Sequence, residues 1–191
     1  MASKVDICNM ALVQLGQATI TALTDNTPNA KRCNTLYDLV RKIVLEAHPW
    51  NGSTKMVALS QVAETPVFKW TYVHQLPTDC LRVLFTDQDV NGERKWEQMG
   101  SKIYSDYADL SIKYVYNNED TTLFSPGLVV ALSARLEAEL AYPVSGSATL
   151  AQAKLAVYED IKLPEAKSLD AQVGSPHESD DGGDSFISSR Y

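Results

Sequence analysis

The sequence predicts an α+β fold: a helical bundle of about four helices, an antiparallel β region inserted into it, and a flexible C-terminal tail. Three observations carry this. Apolar residues recur at three- and four-residue steps near both ends of the chain. Between them, from about Lys55 to Tyr116, apolar residues are mostly two apart, and β-branched and aromatic types are frequent. After Val173 a stretch follows that cannot build a core. The expected boundaries are 1–51 and 121–172 for the helical bundle, 52–120 for the β-rich insertion and 173–191 for the tail.

The first helix should run from about Ser3 to Leu15. Val5, Cys8, Leu12 and Leu15 share one face, Ser3 caps the start, and Gly16 ends the helix in a left-handed conformation. Gln17 to Asn26 reads as a polar linker. Thr27-Pro28 opens the second helix, because proline's missing N–H costs nothing at the first helical position. Cys33, Leu36, Tyr37, Val40, Val44 and Ala47 form its apolar stripe. His48-Pro49 should stop it, since the residue before proline is pushed out of the helical region. Trp50 is expected to pack on the helix end.

In the next segment Val57, Leu59, Phe68, Trp70, Tyr72, Leu81, Val83 and Phe85 give strand signals, as do Ile112, Tyr114 and Tyr116. Turn signals interrupt them at Thr65-Pro66, Leu76-Pro77-Thr78-Asp79 and Asp89-Val90-Asn91-Gly92. Asn91-Gly92 is the best hairpin candidate, because both residues tolerate positive φ. About five or six short antiparallel strands are expected.

Helical period returns at Ser125-Pro126. Leu128, Leu132, Leu136 and Leu140 define one face, and Val129, Val130, Ala131, Ala134, Ala138 and Ala141 widen it, so this helix should be buried on several sides. Tyr142-Pro143 is expected to end it. A turn at Ser145-Gly146-Ser147 leads to a last helix from about Ala148 to Ala171, kinked or divided by Pro164. Trp50, Trp70, Pro126, Leu132 and Leu136 are the expected structural residues.

Composition bounds the function. The chain has 191 residues, 45% hydrophobic and 21% charged, with a net charge of −7. That balance suits a globular domain and argues against a protein that coats nucleic acid by neutralising phosphates. Cys8, Cys33 and Cys80 have no CxxC spacing and read as buried thiols in a reducing compartment. No apolar run approaches the ~18 residues of a membrane span, and the first residues lack a signal-peptide core, so a cytoplasm-like environment is expected.

A search for chemistry yields little. His48, His74 and His177 share no metal-ligand spacing, and each reads as packed or solvated. No Walker loop, GxSxG elbow or GxGxxG is present. Neither a catalytic set, a cofactor site nor a metal site is expected. Glu137 and Glu139 diverge on a helix, as do Glu159 and Asp160; partners such as Arg135 and Lys162 suit helix acids. Glu93, Glu97 and Asp106 lie in the β region, where acids from different strands can meet.

The end of the chain is more informative. Gly174 to Asp184 holds Glu178, Asp180, Asp181 and Asp184 and no apolar side chain. The hexapeptide Phe186-Ile187-Ser188-Ser189-Arg190-Tyr191 then places two aromatics, an isoleucine and an arginine on that acidic tether. Such an anchor suits a groove or a sheet edge on a partner, and repetition around a ring would multiply a weak individual contact.

Three stretches, taken in order, carry a family likeness. They are His48-Pro49-Trp50-Asn51; Trp70-Thr71-Tyr72-Val73-His74-Gln75 followed by Leu76-Pro77-Thr78-Asp79-Cys80-Leu81-Arg82-Val83-Leu84; and Leu123-Phe124-Ser125-Pro126 leading into Ala131 through Ala141. With the helical end from Tyr158-Glu159 through Glu165-Ala166 to Asp170-Ala171-Gln172, nearly the whole chain resembles the tail tubular protein A family of tailed bacteriophages, the head-to-tail adaptors.

That resemblance implies a virion subunit at the neck, assembled in the host cytoplasm. It implies a ring, typically of twelve copies, beneath the portal protein, with the helical bundle joining the portal and the β region facing the tail nozzle or tail tube. Genome DNA would pass through the lumen without specific binding, and no membrane is involved. The C-terminal extension commonly reaches the portal, which makes Phe186, Ile187, Arg190 and Tyr191 the expected portal-binding residues. From Gln172 onward four acids and one arginine give −3, so the body keeps −4, enough to repel phosphate if the acids face inward. A monomer or loose oligomer is expected before docking. Two rivals are a tail-associated glycan or peptidoglycan hydrolase working through Glu93 or Glu97, and a cytoplasmic adaptor that binds its partner one to one without a ring.

Overall fold

The structure, a computed structural model, describes residues 2–89 and 94–173. The fold is α+β. Helix α1 (Lys4–Gln14) starts with a reciprocal cap: Ser3 Oγ accepts from Asp6 N at 3.1 Å, and Ser3 N donates to the Asp6 carboxylate at 2.8 Å. It ends at Gly16, whose φ is 67°, with Gly16 N and Gln17 N donating to Val13 O and Leu12 O. The following linker is less free than its polarity suggests. Asn9 holds Ile20 by both backbone groups, at 2.9 and 2.8 Å, and Ile20 is buried in the core.

Helix α2 (Pro28–Glu46) begins as expected, with Thr27 Oγ1 accepting from Ala30 N at 3.2 Å. Cys33, Tyr37, Val40 and Val44 are buried on its stripe. Trp50 packs at its end and donates Nε1 to Val44 O at 2.8 Å. Helix α3 (Pro126–Ser145) is capped by Ser125 and packs against all the other helical segments. Leu132 and Leu136 lie in its buried face.

Two sequence expectations about prolines resolve differently. Tyr142-Pro143 does not end α3, which continues to Ser145. Pro143 is exposed and only a few residues from the end, so the carbonyl it leaves unpaired can meet water. Gly146 N closes the helix instead, donating to Tyr142 O at 2.8 Å. Pro164 does divide the last helix. Helix α4 (Ala148–Val157) and helix α5 (Leu163–Val173) are joined by a π turn over Tyr158–Lys162, with Leu163 N bonding back to Tyr158 O. The wider turn absorbs the ring that a regular α-helix would reject.

Among the described residues, seven strands rather than five or six form two antiparallel sheets. One has the order β1 (Thr54–Ala58), β7 (Ser111–Tyr116), β4 (Cys80–Thr86); the other β2 (Ser60–Val62), β3 (Tyr72–Gln75), β6 (Lys102–Ser105), β5 (Trp96–Met99). Strand β7 divides two cores by its alternation. Ile112 and Tyr114 join Val83, Trp96 and Ile103 between the sheets, whereas Val115 joins the helical core. The Phe85 side chain escapes the period-two pattern because a register shift between Val83 and Phe85 breaks the alternation.

The expectation that Phe68 and Trp70 lie in strands fails here: both sit in the β2–β3 loop, Trp70 half-exposed. The β core is built on Trp96 instead, whose Nε1 donates to Asp89 Oδ1 at 3.0 Å. The Asn91-Gly92 hairpin and the tail 174–191 lie outside the described residues.

Helical body and β region meet at a tight seam. Gly52 O accepts from Asn118 Nδ2 at 2.9 Å and from the Tyr116 hydroxyl at 3.3 Å. A Cβ on Gly52 would stand 2.3 Å from Leu123 O, a backbone atom that cannot step aside. Gly52→Ala is therefore expected to lose about 1–3 kcal/mol in urea unfolding, the usual range for overpacking. Asp89 gives a second test. Burial alone would raise its carboxyl, but hydrogen bonds from Thr86, Trp96 and Lys95 outweigh that and hold it below its ordinary value. Its stabilisation is present above the unfolded pKa of about 3.9 and is lost as pH falls through the lower folded value. Asp89→Asn should thus flatten the acid limb of a stability-versus-pH curve below about pH 4.

Candidate functional site

Among the described residues, Glu97, Asp106 and Glu139 are each held by neighbours. Glu97 Oε2 accepts from Lys69 Nζ at 2.8 Å and from Trp70 Nε1 at 3.1 Å, and these hydrogen bonds hold its carboxyl below the usual range. Asp106 accepts from Thr71 N and Thr71 Oγ1 at 3.1 and 2.9 Å. Glu139 pairs with Arg135 at 2.6 Å. Glu93 lies outside the described residues.

The histidines are packed. His74 is fully buried, with Nε2 3.0 Å from Tyr107 O. His48 stands 3.3 Å from Asp170, and burial pushes its imidazole below the ordinary value despite that carboxylate. His177 lies outside the described residues. Cys8 and Cys33 are buried, whereas Cys80 is only half-buried, against expectation, because it opens the edge strand β4. The Cys8 thiol is raised by its hydrogen bond with Cys33 and by burial; burial pushes Cys80 up to about 11. Among the described residues, no three His, Cys, Asp or Glu side chains gather as metal ligands would.

What the folded chain presents is apolar surface. The larger feature is a groove of about 640 Å³ between α1, α3 and α4. Met10 and Val13 come from α1, Val130 from α3 and Val157 from α4, all with substantial exposure. Glu137 lies in the wall, 9% exposed, with Lys154 Nζ 2.6 Å from its Oε1. Beyond Val130 and Lys162 the depression continues past Gly127 to Leu169 on α5.

A second feature is the β2–β3 loop. Val67 is 97% and Phe68 79% exposed, the most exposed large apolar side chains among the described residues. They are held out by a built turn. Trp70 N donates to Phe68 O at 2.9 Å around Lys69, whose φ of 71° costs a side-chain-bearing residue about 1–2 kcal/mol. The Lys69 ammonium lies 4.6 Å over the Trp70 ring and is tied to Glu97, while Lys102 pairs with Glu64 behind the turn. Beneath lies a hollow of about 340 Å³ walled by Pro66, Phe68, Trp70, Met99 and Tyr104.

Sequence reasoning missed both surfaces. The signal for the groove was present: Met10 and Val13 fall outside the α1 stripe, and α3 carries more apolar residues than one face needs. The loop had no comparable signal, since Val67-Phe68 reads as strand. The expected portal-binding residues Phe186, Ile187, Arg190 and Tyr191 lie outside the described residues. Comparison with known protein families and with curated proteins finds no match for this chain.

If Phe68 serves contact rather than folding, Phe68→Ala should leave unfolding stability within about 0.5 kcal/mol of the parent. Trp96→Ala, which empties the β core, should lose about 3–5 kcal/mol in the same urea titration.

Proposed function

We propose that the chain is a structural subunit of a bacteriophage virion, a head-to-tail adaptor that forms a ring, typically of twelve copies, between the portal and the tail nozzle or tube. The observation that carries this reading is the presence of two separate apolar surfaces on one chain. One is the groove on the helical body and the other the strained loop on the β region. A connector needs contacts on more than one side, and a catalytic unit needs converging free groups, whereas Glu97 and Asp106 are spent on neighbours. The ordered likeness from His48 through Gln172 to the tail tubular protein A family points the same way.

In this reading the helical bundle joins the portal and the β region meets the next tail component. The hexapeptide Phe186–Tyr191 anchors on the portal through its aromatics and Arg190. Each anchor binds weakly, and the ring makes the whole attachment strong. A body of charge −4 repeated around a lumen gives DNA a wall to slide past rather than one to grip. The subunit works without cofactor and is not an enzyme.

Sedimentation tests this directly, with the full chain and a chain cut after Val173, each alone and mixed with the portal ring. A multi-copy ring is expected only with portal, and a weakened one for the cut chain. No association with portal in either form would overturn the adaptor reading and direct attention to hydrolysis of peptidoglycan or tail-specific polysaccharide.

A further inference from the structure

We infer that, before any partner is met, the C-terminal hexapeptide Phe186–Tyr191 lies in the α1–α3–α4 groove of its own chain. The groove and the peptide match in three respects. Its walls are apolar, with Met10, Val13, Val130 and Val157 open to solvent, and Phe186, Ile187 and Tyr191 are the apolar side chains that follow Val173. Its wall holds the Glu137 carboxylate, paired with the Lys154 ammonium at 2.6 Å, and the tail brings one further cation to it, Arg190, the only Lys or Arg after Lys167. Its rim carries Asp6 and Lys154 on one side and Lys162, only loosely paired at 3.9 Å from Glu165, on the other, and the connecting segment carries Glu178, Asp180, Asp181 and Asp184 for that cation. In this arrangement the Arg190 guanidinium joins the Lys154 ammonium on the Glu137 carboxylate as a charge-assisted contact.

Reach permits the contact. The described chain ends at Val173, one turn beyond Leu169, which lines the continuation of the same depression. From Gly127 to Glu137 the groove follows α3 for about 15 Å. Residues 174–185 fully extended span at most about 40 Å, so the hexapeptide reaches any point of the groove without a second molecule. Intramolecular docking also outcompetes a second copy at ordinary concentrations, because a short tether holds the peptide at an effective concentration of roughly millimolar.

The consequence is a guarded anchor. While the groove holds the hexapeptide, the two apolar surfaces cover each other, and a partner must offer a better site to release both. This inference does not rest on the adaptor reading; it needs only the groove and the tail.

The test uses the full chain with Tyr191 replaced by the photo-crosslinking residue p-benzoylphenylalanine. Illumination at low micromolar concentration, denaturing electrophoresis and peptide mapping then report where the tail lies. Expected is an adduct of monomer mass that joins the last peptide to peptides containing Met10–Val13, Val130 or Val157, with a yield independent of protein concentration. Val130→Glu should cut that yield about tenfold by placing a charge in the apolar wall. Val13→Glu, at a more exposed position, serves as the second variant, and a circular dichroism melt checks that each variant folds. An adduct of dimer mass would overturn the inference in favour of a neighbouring copy. So would attachment elsewhere on the chain, absence of any adduct, or a yield unchanged in both folded variants.

Discussion

Helix α3 must bury nearly its whole circumference, and the rest of the molecule is arranged to let it. Leu128, Leu132, Leu136 and Leu140 need one wall, and Val129, Ala131, Ala138 and Ala141 need others. No single neighbour supplies that much apolar surface. The chain therefore brings α1 and α2 from one end and α4 and α5 from the other around α3. The β region leaves and re-enters the body between α2 and α3, so its two crossings are forced to lie side by side.

That forced proximity explains the density of polar bonds at the seam. Arg41 is fully buried, yet its guanidinium reaches Asp38 at 2.7 Å and Asn117 and Glu119 at 3.1 Å each. It fastens α2 to the segment that leaves β7. Desolvating a guanidinium is costly, and three acceptors on two parts of the chain offset it only when both parts are in place. Asp170 does the same for α5, accepting from Asn51 N at 3.1 Å while Asn51 Nδ2 donates back to its carbonyl at 2.7 Å. Gly52 completes the seam because the backbone of Leu123 passes where a side chain would stand.

With the interior satisfied, the remaining apolar residues stand out by location. The groove exists because α1 and the α4–π–α5 rod both contact α3 without closing over Val130 and Ala134. The loop at Val67-Phe68 is a different device. Its positive-φ turn is unfavourable in itself and is held by the Lys69–Glu97–Trp70 set and by Asp106. The same bonds that maintain the exposed aromatic also engage Glu97 and Asp106.

Much of this was legible in the sequence. The helix starts at Ser3, Thr27 and Ser125 are legible because a hydroxyl that accepts from a first-turn amide is a local requirement, whereas the same cap at Ser147 reads only as a turn. The α+β order and the β-strand stretches near Tyr72, Leu81 and Ile112 followed from apolar period alone. Three things were decided only by tertiary structure. Pro143 is tolerated because its turn of α3 faces water, which no local rule states. Trp96, not Trp70, anchors the β core, because strand pairing places one indole between the sheets and the other beside an ion pair. The groove and the exposed loop arise from which faces remain uncovered after packing. Local chemistry fixes where elements begin; the competition among distant apolar faces for one another decides what is left for a partner.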